Sequence, residues 1–362
     1  MFRGGYLSEV DSLRALAVFA VMANHWLQEF APFRVLGGYG VTLFFVISGY
    51  LITGILLRGR ERNADGASTI LDELRAFYAR RFLRIFPVYY AVLFVAALVG
   101  LPWVVDYLGW HLLYASNILI ARVGHWPEYI SHLWSLAIEE QFYLIWPLLI
   151  LSVPRRLLLP VMVATCLGAI AYRSAMAGAP PISYTILLPA KMDALAGGAL
   201  LALAHERGRG EQLTGPLVIA ALLMVFVTNW QPGPVFEPTD IFVPTLGVTI
   251  ISAAAIQLVA RYHGTAALAW MRVPPVLYLG RISYGIYLYH LFVAQAVKML
   301  VAWRWIPEFG KYPTDLLNVG LTIAIASASW HLFEKPINDL KRFFPYERRG
   351  RPVPESAPSA VL

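Results

Sequence analysis

The sequence predicts an all-α, polytopic integral membrane protein of about ten transmembrane helices, with both termini in the cytoplasm. Three observations carry this expectation. Of 362 residues, 58% are hydrophobic and only 14% charged, and the mean hydropathy is +0.60, a balance that no soluble domain needs to fill its core. Apolar runs of roughly 17 to 25 residues recur along the whole chain, each long enough at about 1.5 Å per residue to cross a hydrocarbon layer of about 30 Å. Arginine and lysine fall into alternate loops, as expected where cytoplasmic loops retain cations.

In chain order the spans read 10–29, 39–57, 82–101, 134–152, 156–173, 184–204, 215–230, 240–260, 280–301 and 315–334. Alternation puts the loop from Arg58 to Arg84, Arg155, Arg156, Arg207, Arg209, Arg261, Arg272, Arg281 and the tail from Lys335 on one side. Arg34, Arg122, Arg173, Arg304 and Lys311 fall on the other. The net charge of +7 is therefore explained by topology rather than by a nucleic-acid partner, because the basic residues form no single stripe. A membrane domain over 1–340 is followed by a basic, Pro-rich tail over 341–362, expected to be disordered in the cytoplasm. Cys166 is the single cysteine, which excludes an intrachain disulfide and a cysteine-based metal site. No metal is expected. Glu9 and Asp11 argue against a cleaved leader in the first span, and the Trp- and Tyr-rich segment 102–133 suits the water–lipid boundary.

The first span, EVDSLRALAVFAVMANHW, holds ionisable groups that lipid does not tolerate without a reason. Arg14 and His25 are eleven positions apart, which brings them to nearly one helix face about 16 Å apart along the axis. Asp11 lies one turn before Arg14 and can pair with it. In the second span, Gly37, Gly38, Gly40, Ser48, Gly49 and Gly54 permit close helix approach, or a small-residue passage for a ligand.

At the start of the third span, Arg80, Arg81 and Arg84 cluster within one turn, with Arg81 and Arg84 on a shared face. Two readings stand: positive-inside anchoring, and a bidentate grip on a ligand with several phosphates. The fourth span opens SHLWSLAIEEQFYLIWP. Adjacent carboxylates on a helix face different directions, so one of Glu139 and Glu140 faces any cavity while the other pairs elsewhere; the sequence does not say which. In GRISYGIYLYHLF, Ser283, Tyr284, Tyr287 and His290 share a stripe, a pattern that ordinary packing also produces.

Taken together and in order, DSLRALAVFAVMANHW, FFVISGYLI, RRFLRIFP, SLAIEEQFYLIWP, ISYGIYLYH and the closing FEKP at 333–336 resemble the acyltransferase-3 family of bacterial membrane acyltransferases. The resemblance covers roughly residues 7–340. It implies transfer of an acyl group, commonly acetyl from acetyl-coenzyme A, to a sugar hydroxyl, in the bacterial cytoplasmic (inner) membrane. The implied acceptor is a glycan or lipid-linked glycan of the cell surface, such as an O-antigen or exopolysaccharide, or in some members a macrolide. By motif, Arg14, His25, Glu139 and Glu140 take the catalytic positions, and Arg80, Arg81 and Arg84 the donor-binding ones. Trp134, Tyr287 and His290 are the substrate-binding candidates. On this reading His25 acts as general base, with Arg14 a candidate to stabilise charge on the carbonyl oxygen. Some relatives append an esterase-like domain; the chain after about residue 340 leaves no room for one, so the membrane part is expected to act alone or with a partner. A proton-coupled transporter or flippase is the rival class.

Overall fold

A computed structural model describes residues 7–346 apart from 28, 31, 32, 34 and 231–241, and describes the backbone alone at 227–230 and 242–244. The described residues are helical throughout, with no strand among them. The first half comprises α1 (Glu9–Trp26), α2 (Leu36–Ala64), α3 (Ile70–Leu98), the short α4 (Pro102–Asp106), α5 (Leu108–Leu112) and α6 (Ser116–Val123), α7 (Leu133–Ser152) and α8 (Leu158–Ala175). The second comprises a single turn α9 (Ile182–Thr185), α10 (Leu188–Glu206), α11 (Thr214–Trp230), α12 (Phe242–Tyr262), α13 (Pro274–Arg281), α14 (Ser283–Ala302), α15 (Lys311–Ser329) and α16 (Lys335–Asp339).

Each of the ten apolar runs coincides with one of these helices. Six helical stretches among the described residues are long and apolar enough to cross a membrane: 36–64, 70–98, 155–175, 245–262, 283–302 and 311–343. The other runs form α1, α7, α10 and α11. Here α1 carries Glu9, Asp11 and Arg14 and α7 carries Glu139, Glu140 and Gln141, polar groups that lower hydropathy where helices face one another instead of lipid. Outward faces are apolar: Phe94, Leu98, Leu144, Leu167, Leu222 and Leu316 are among the most exposed large side chains. The protein is a multi-pass membrane protein.

The core is organised around α2, which packs against α1, α7, α10 and α12. Its contact with α10 is backbone to backbone. A Cβ on Gly49 would overlap the Leu195 carbonyl, and one on Gly198 the Val46 carbonyl, so glycine at these crossings sets the interhelical distance. Close approach is realised at Gly37, Gly40 and Gly49, while Ser48 of the same set lines a cavity.

Segment 102–133 folds back onto the bundle as α4, α5 and α6. Tyr89 and Tyr90 donate to the carbonyls of His111 and Leu112 at 2.9 and 2.8 Å, and Gln141 and Asn117 exchange bonds at 2.9 and 3.3 Å. Arg173, expected at the outer end of its span, is 1% exposed and bidentate to Asp193, with Nη1–Oδ1 3.0 and Nη2–Oδ2 2.7 Å. The helix simply runs past the expected boundary, and an arginine there is retained only because α10 brings a carboxylate to it. Residues 341–346, expected at the start of a disordered tail, lie against α3 through Arg80, whose Nε donates to the Phe344 carbonyl at 2.7 Å. Residues 347–362 are outside the described part of the chain.

Candidate active site

Helices α1, α2, α3, α7 and α14 enclose a cavity of about 70 Å³. The stripe Ser135, Glu139, Tyr143 of α7 faces it, because positions four apart stack on one helix face. From α3 come Arg81 and Arg84, one turn apart, from α1 Arg14, from α2 Phe44, Phe45 and Ser48, and from α14 Ser283, Tyr284 and Tyr287. Three guanidiniums and one carboxylate line the cavity, with Asp11 paired to Arg14 and Glu334 within electrostatic reach of Arg84 behind them, a cationic lining that suits an anion. Arg14 is oriented by Asp11 at 3.1 Å, and Arg81 lies over the Tyr143 ring at 5.2 Å.

Which carboxylate faces the cavity is decided by α2. Ser48 Oγ donates to Glu139 Oε1 at 2.8 Å and meets Tyr143 Oη at 3.1 Å. Glu140, a step of about 100° around the helix, is turned toward the tyrosine cluster of Tyr89, Tyr90, Tyr114 and Tyr284, with each of which it interacts electrostatically. Arg80 does not line the cavity and instead donates to the Phe344 carbonyl.

His25 is not part of the cavity wall. It lies in a second cluster at the other end of α1, its ring 5.1 Å from that of His290, which in turn sits 4.9 Å from His132. The two sites meet at Tyr287, which lines the cavity, pairs with Ser135 Oγ at 2.6 Å, and packs its ring 5.6 Å from His290 and 5.8 Å from His132. Backbone carbonyls fix both inner imidazoles. His132 Nε2 donates to the Leu288 carbonyl at 3.0 Å and His290 Nδ1 to the Tyr287 carbonyl at 2.6 Å. Those donors leave His132 Nδ1 and His290 Nε2 as lone-pair acceptors, both buried and without a hydrogen-bond partner. Buried acceptors without a partner suit hydroxyl donors. Among the described residues, no group of His, Cys, Asp or Glu is arranged to hold a metal ion.

Trp134 stands outside the cavity wall, edge-on to Phe45 at 6.1 Å and under Lys191 Nζ at 5.7 Å. Sequence reasoning gave His132 and Tyr143 no role and left Ser48 between close packing and a ligand passage. The four-residue stripe through Glu139 was the signal for Ser135 and Tyr143. The FEKP motif also finds a place: a π-helical turn, Trp330–Glu334, buries Glu334 within electrostatic reach of Arg84, where Ser329 Oγ donates to it at 2.7 Å.

The fold and site define a helical membrane protein with an arginine-lined cavity beside a histidine cluster, the two sharing Tyr287. The chain belongs to the acyltransferase-3 family, whose acyltransferase domain matches residues 7–333. It is 30% identical to the peptidoglycan O-acetyltransferase OatA of Listeria monocytogenes over 92% of this chain and 56% of that protein. It is also 30% identical to the putative peptidoglycan O-acetyltransferase YrhL of Bacillus subtilis, over 92% and 55%, and 26% identical to a putative O-acetyltransferase of Staphylococcus aureus, over 91% and 57%. The chain therefore spans little more than half the length of these curated relatives. No solved structure matches it.

Proposed function

We propose that the protein is an integral-membrane O-acetyltransferase of the bacterial cytoplasmic membrane that moves acetyl from acetyl-coenzyme A to a sugar hydroxyl of a cell-surface glycan. Ten membrane crossings with both termini cytoplasmic would present the arginine end of α1 to the donor. The observation that carries the reading is that Tyr287 both lines the Arg14, Arg81 and Arg84 cavity and packs against His290, the centre of the cluster with His25 and His132. The names of the curated relatives favour peptidoglycan or a similar glycan as acceptor.

Arg81 and Arg84 grip phosphate oxygens of the donor, and the about 16 Å between Arg14 and His25 along α1 is the span that an extended pantetheine arm bridges. That spacing favours Arg14 as a third phosphate ligand over a role at the reacting carbonyl. At the far end His25 accepts the proton of the sugar hydroxyl as its oxygen bonds to the acetyl carbon; the C–S bond breaks, and the imidazolium returns the proton to the departing thiolate. Base catalysis of this kind is worth about 10²- to 10⁴-fold. The free acceptors on His132 and His290 hold neighbouring hydroxyls of the sugar. Glu139 balances the arginines so that donor and product can leave.

The test is to incubate purified protein in liposomes with radiolabelled acetyl-coenzyme A and a panel of peptidoglycan fragments, lipid-linked glycans and macrolides. Label in a glycan supports the reading and names the acceptor class. Label in a macrolide alone, or movement of substrate without labelling, replaces it.

A further inference from the structure

Beside the mouth of the cavity, where α2 ends and α3 begins, the Tyr346 ring lies among arginines. The guanidinium carbons of Arg62 and Arg80 stand over it at 5.0 and 4.7 Å. Arg58 and Arg81 are within electrostatic reach of it, and Arg81 also lines the cavity. The frame around the ring is rigid. Arg62 is clamped by Glu73 through Nε–Oε1 at 2.9 Å and Nη2–Oε2 at 2.7 Å, and Glu73, itself 2% exposed, takes a further bond from Ser68 Oγ at 2.6 Å. The occupant is a side chain of the segment after α16: Tyr346 packs at the edge of the hydrophobic core, and the segment is tied to α3 by the bond from Arg80 Nε to the Phe344 carbonyl and by packing of 340–343.

Guanidinium faces that stack on an aromatic ring, with further arginines around its edge, form a site for a planar base carrying phosphates. We propose that the place of the Tyr346 ring, against the guanidiniums of Arg62 and Arg80, is a slot that seats the adenine base of the acyl donor, and that Tyr346 fills it in the empty protein as an intramolecular stand-in which swings out when the nucleotide enters. This deepens the donor assignment above and rests on it. Phosphates of a nucleotide stacked there would lie toward Arg81, which belongs to both slot and cavity, and the pantetheine arm would continue inward from that residue.

The experiment compares acetyl-coenzyme A with S-acetylpantetheine, which lacks the nucleotide, in the wild-type protein and in the Tyr346→Ala, Tyr346→Phe and Arg80→Ala variants. Removing the stand-in is expected to lower KM for acetyl-coenzyme A roughly 3- to 10-fold, the effect of losing competing cation–π contacts, with kcat and the KM for S-acetylpantetheine unchanged. Tyr346→Phe keeps a ring and should behave as wild type. Arg80→Ala should raise KM for acetyl-coenzyme A alone. A Tyr346→Ala variant whose two donors shift together, or whose KM for acetyl-coenzyme A does not fall, overturns the proposal and makes Tyr346 a structural plug. Equilibrium binding of adenosine 3′,5′-bisphosphate separates the two levels of the argument. Tighter binding to Tyr346→Ala without acetyl transfer from either donor keeps the slot and removes the donor assignment. Transfer from acetyl-coenzyme A with equal bisphosphate binding in both proteins removes the slot and keeps the donor.

Discussion

Ser48 Oγ donates to Glu139 Oε1 at 2.8 Å across the α2–α7 interface, and this one bond separates two carboxylates that are neighbours in the chain. Glu139 faces the arginine cavity, while Glu140 faces tyrosines. Glu139→Gln keeps the hydrogen bond but removes the charge that offsets Arg14, Arg81 and Arg84. It is expected to reduce acetyl turnover by at least about tenfold, the effect of one charge-assisted interaction, with near-wild-type thermal stability in detergent. Glu140→Gln should leave donor KM unchanged, and steady-state kinetics on the pair checks the division.

Arg81 and Arg84 are assigned to the donor phosphates. Arg81→Ala and Arg84→Ala should each raise donor KM by about 10- to 100-fold, matching roughly 1.5–3 kcal/mol for a hydrogen bond to a charged group. Isothermal titration with coenzyme A would read this directly. Unchanged affinity in both variants would leave the arginines as membrane anchors only.

His25 acts on the acceptor rather than on donor binding. His25→Ala should lower kcat by about 10²- to 10⁴-fold while coenzyme A affinity stays as in wild type. His290→Gln removes the lone pair at Nε2 and is expected to raise acceptor KM more than it lowers kcat. Equal loss in both parameters would argue that His290 only supports the His25 ring, 5.1 Å away.

The buried Arg173–Asp193 pair offers a stability test independent of catalysis. Breaking it by Arg173→Ala strands a carboxylate in the interior and should cost about 3–5 kcal/mol, whereas the double change Arg173→Met with Asp193→Leu should come close to wild type. Thermal unfolding in detergent measures both. A single variant as stable as the double would mean that Asp193 finds another cation, and Lys191, which interacts with it electrostatically, is the nearest candidate.

Helix identity was legible in the chain because lipid imposes a simple rule: a long apolar run has only one way to satisfy its backbone. The same rule singled out Arg14, His25 and the Glu139–Glu140 pair, since an ionisable group in such a run needs a reason. What one-dimensional reasoning lacked was the angle at which helices meet. Periodicity put Arg14 and His25 on one face, but only packing shows that Arg14 enters the cavity while His25 joins His290 and His132 from elements more than a hundred positions away. Charge alternation placed Arg173 at the outer end of its span, and only α10 explains its burial. The chain by itself determined that its apolar runs are helices, the order of the motifs and which side chains are too polar for lipid; the tertiary structure decided which of them share a cavity. The reason is physical: transfer into lipid is a property of each segment alone, whereas a site is made by contacts between segments, and backbone-close crossings such as Gly49 on Leu195 set those contacts to within a side chain's length.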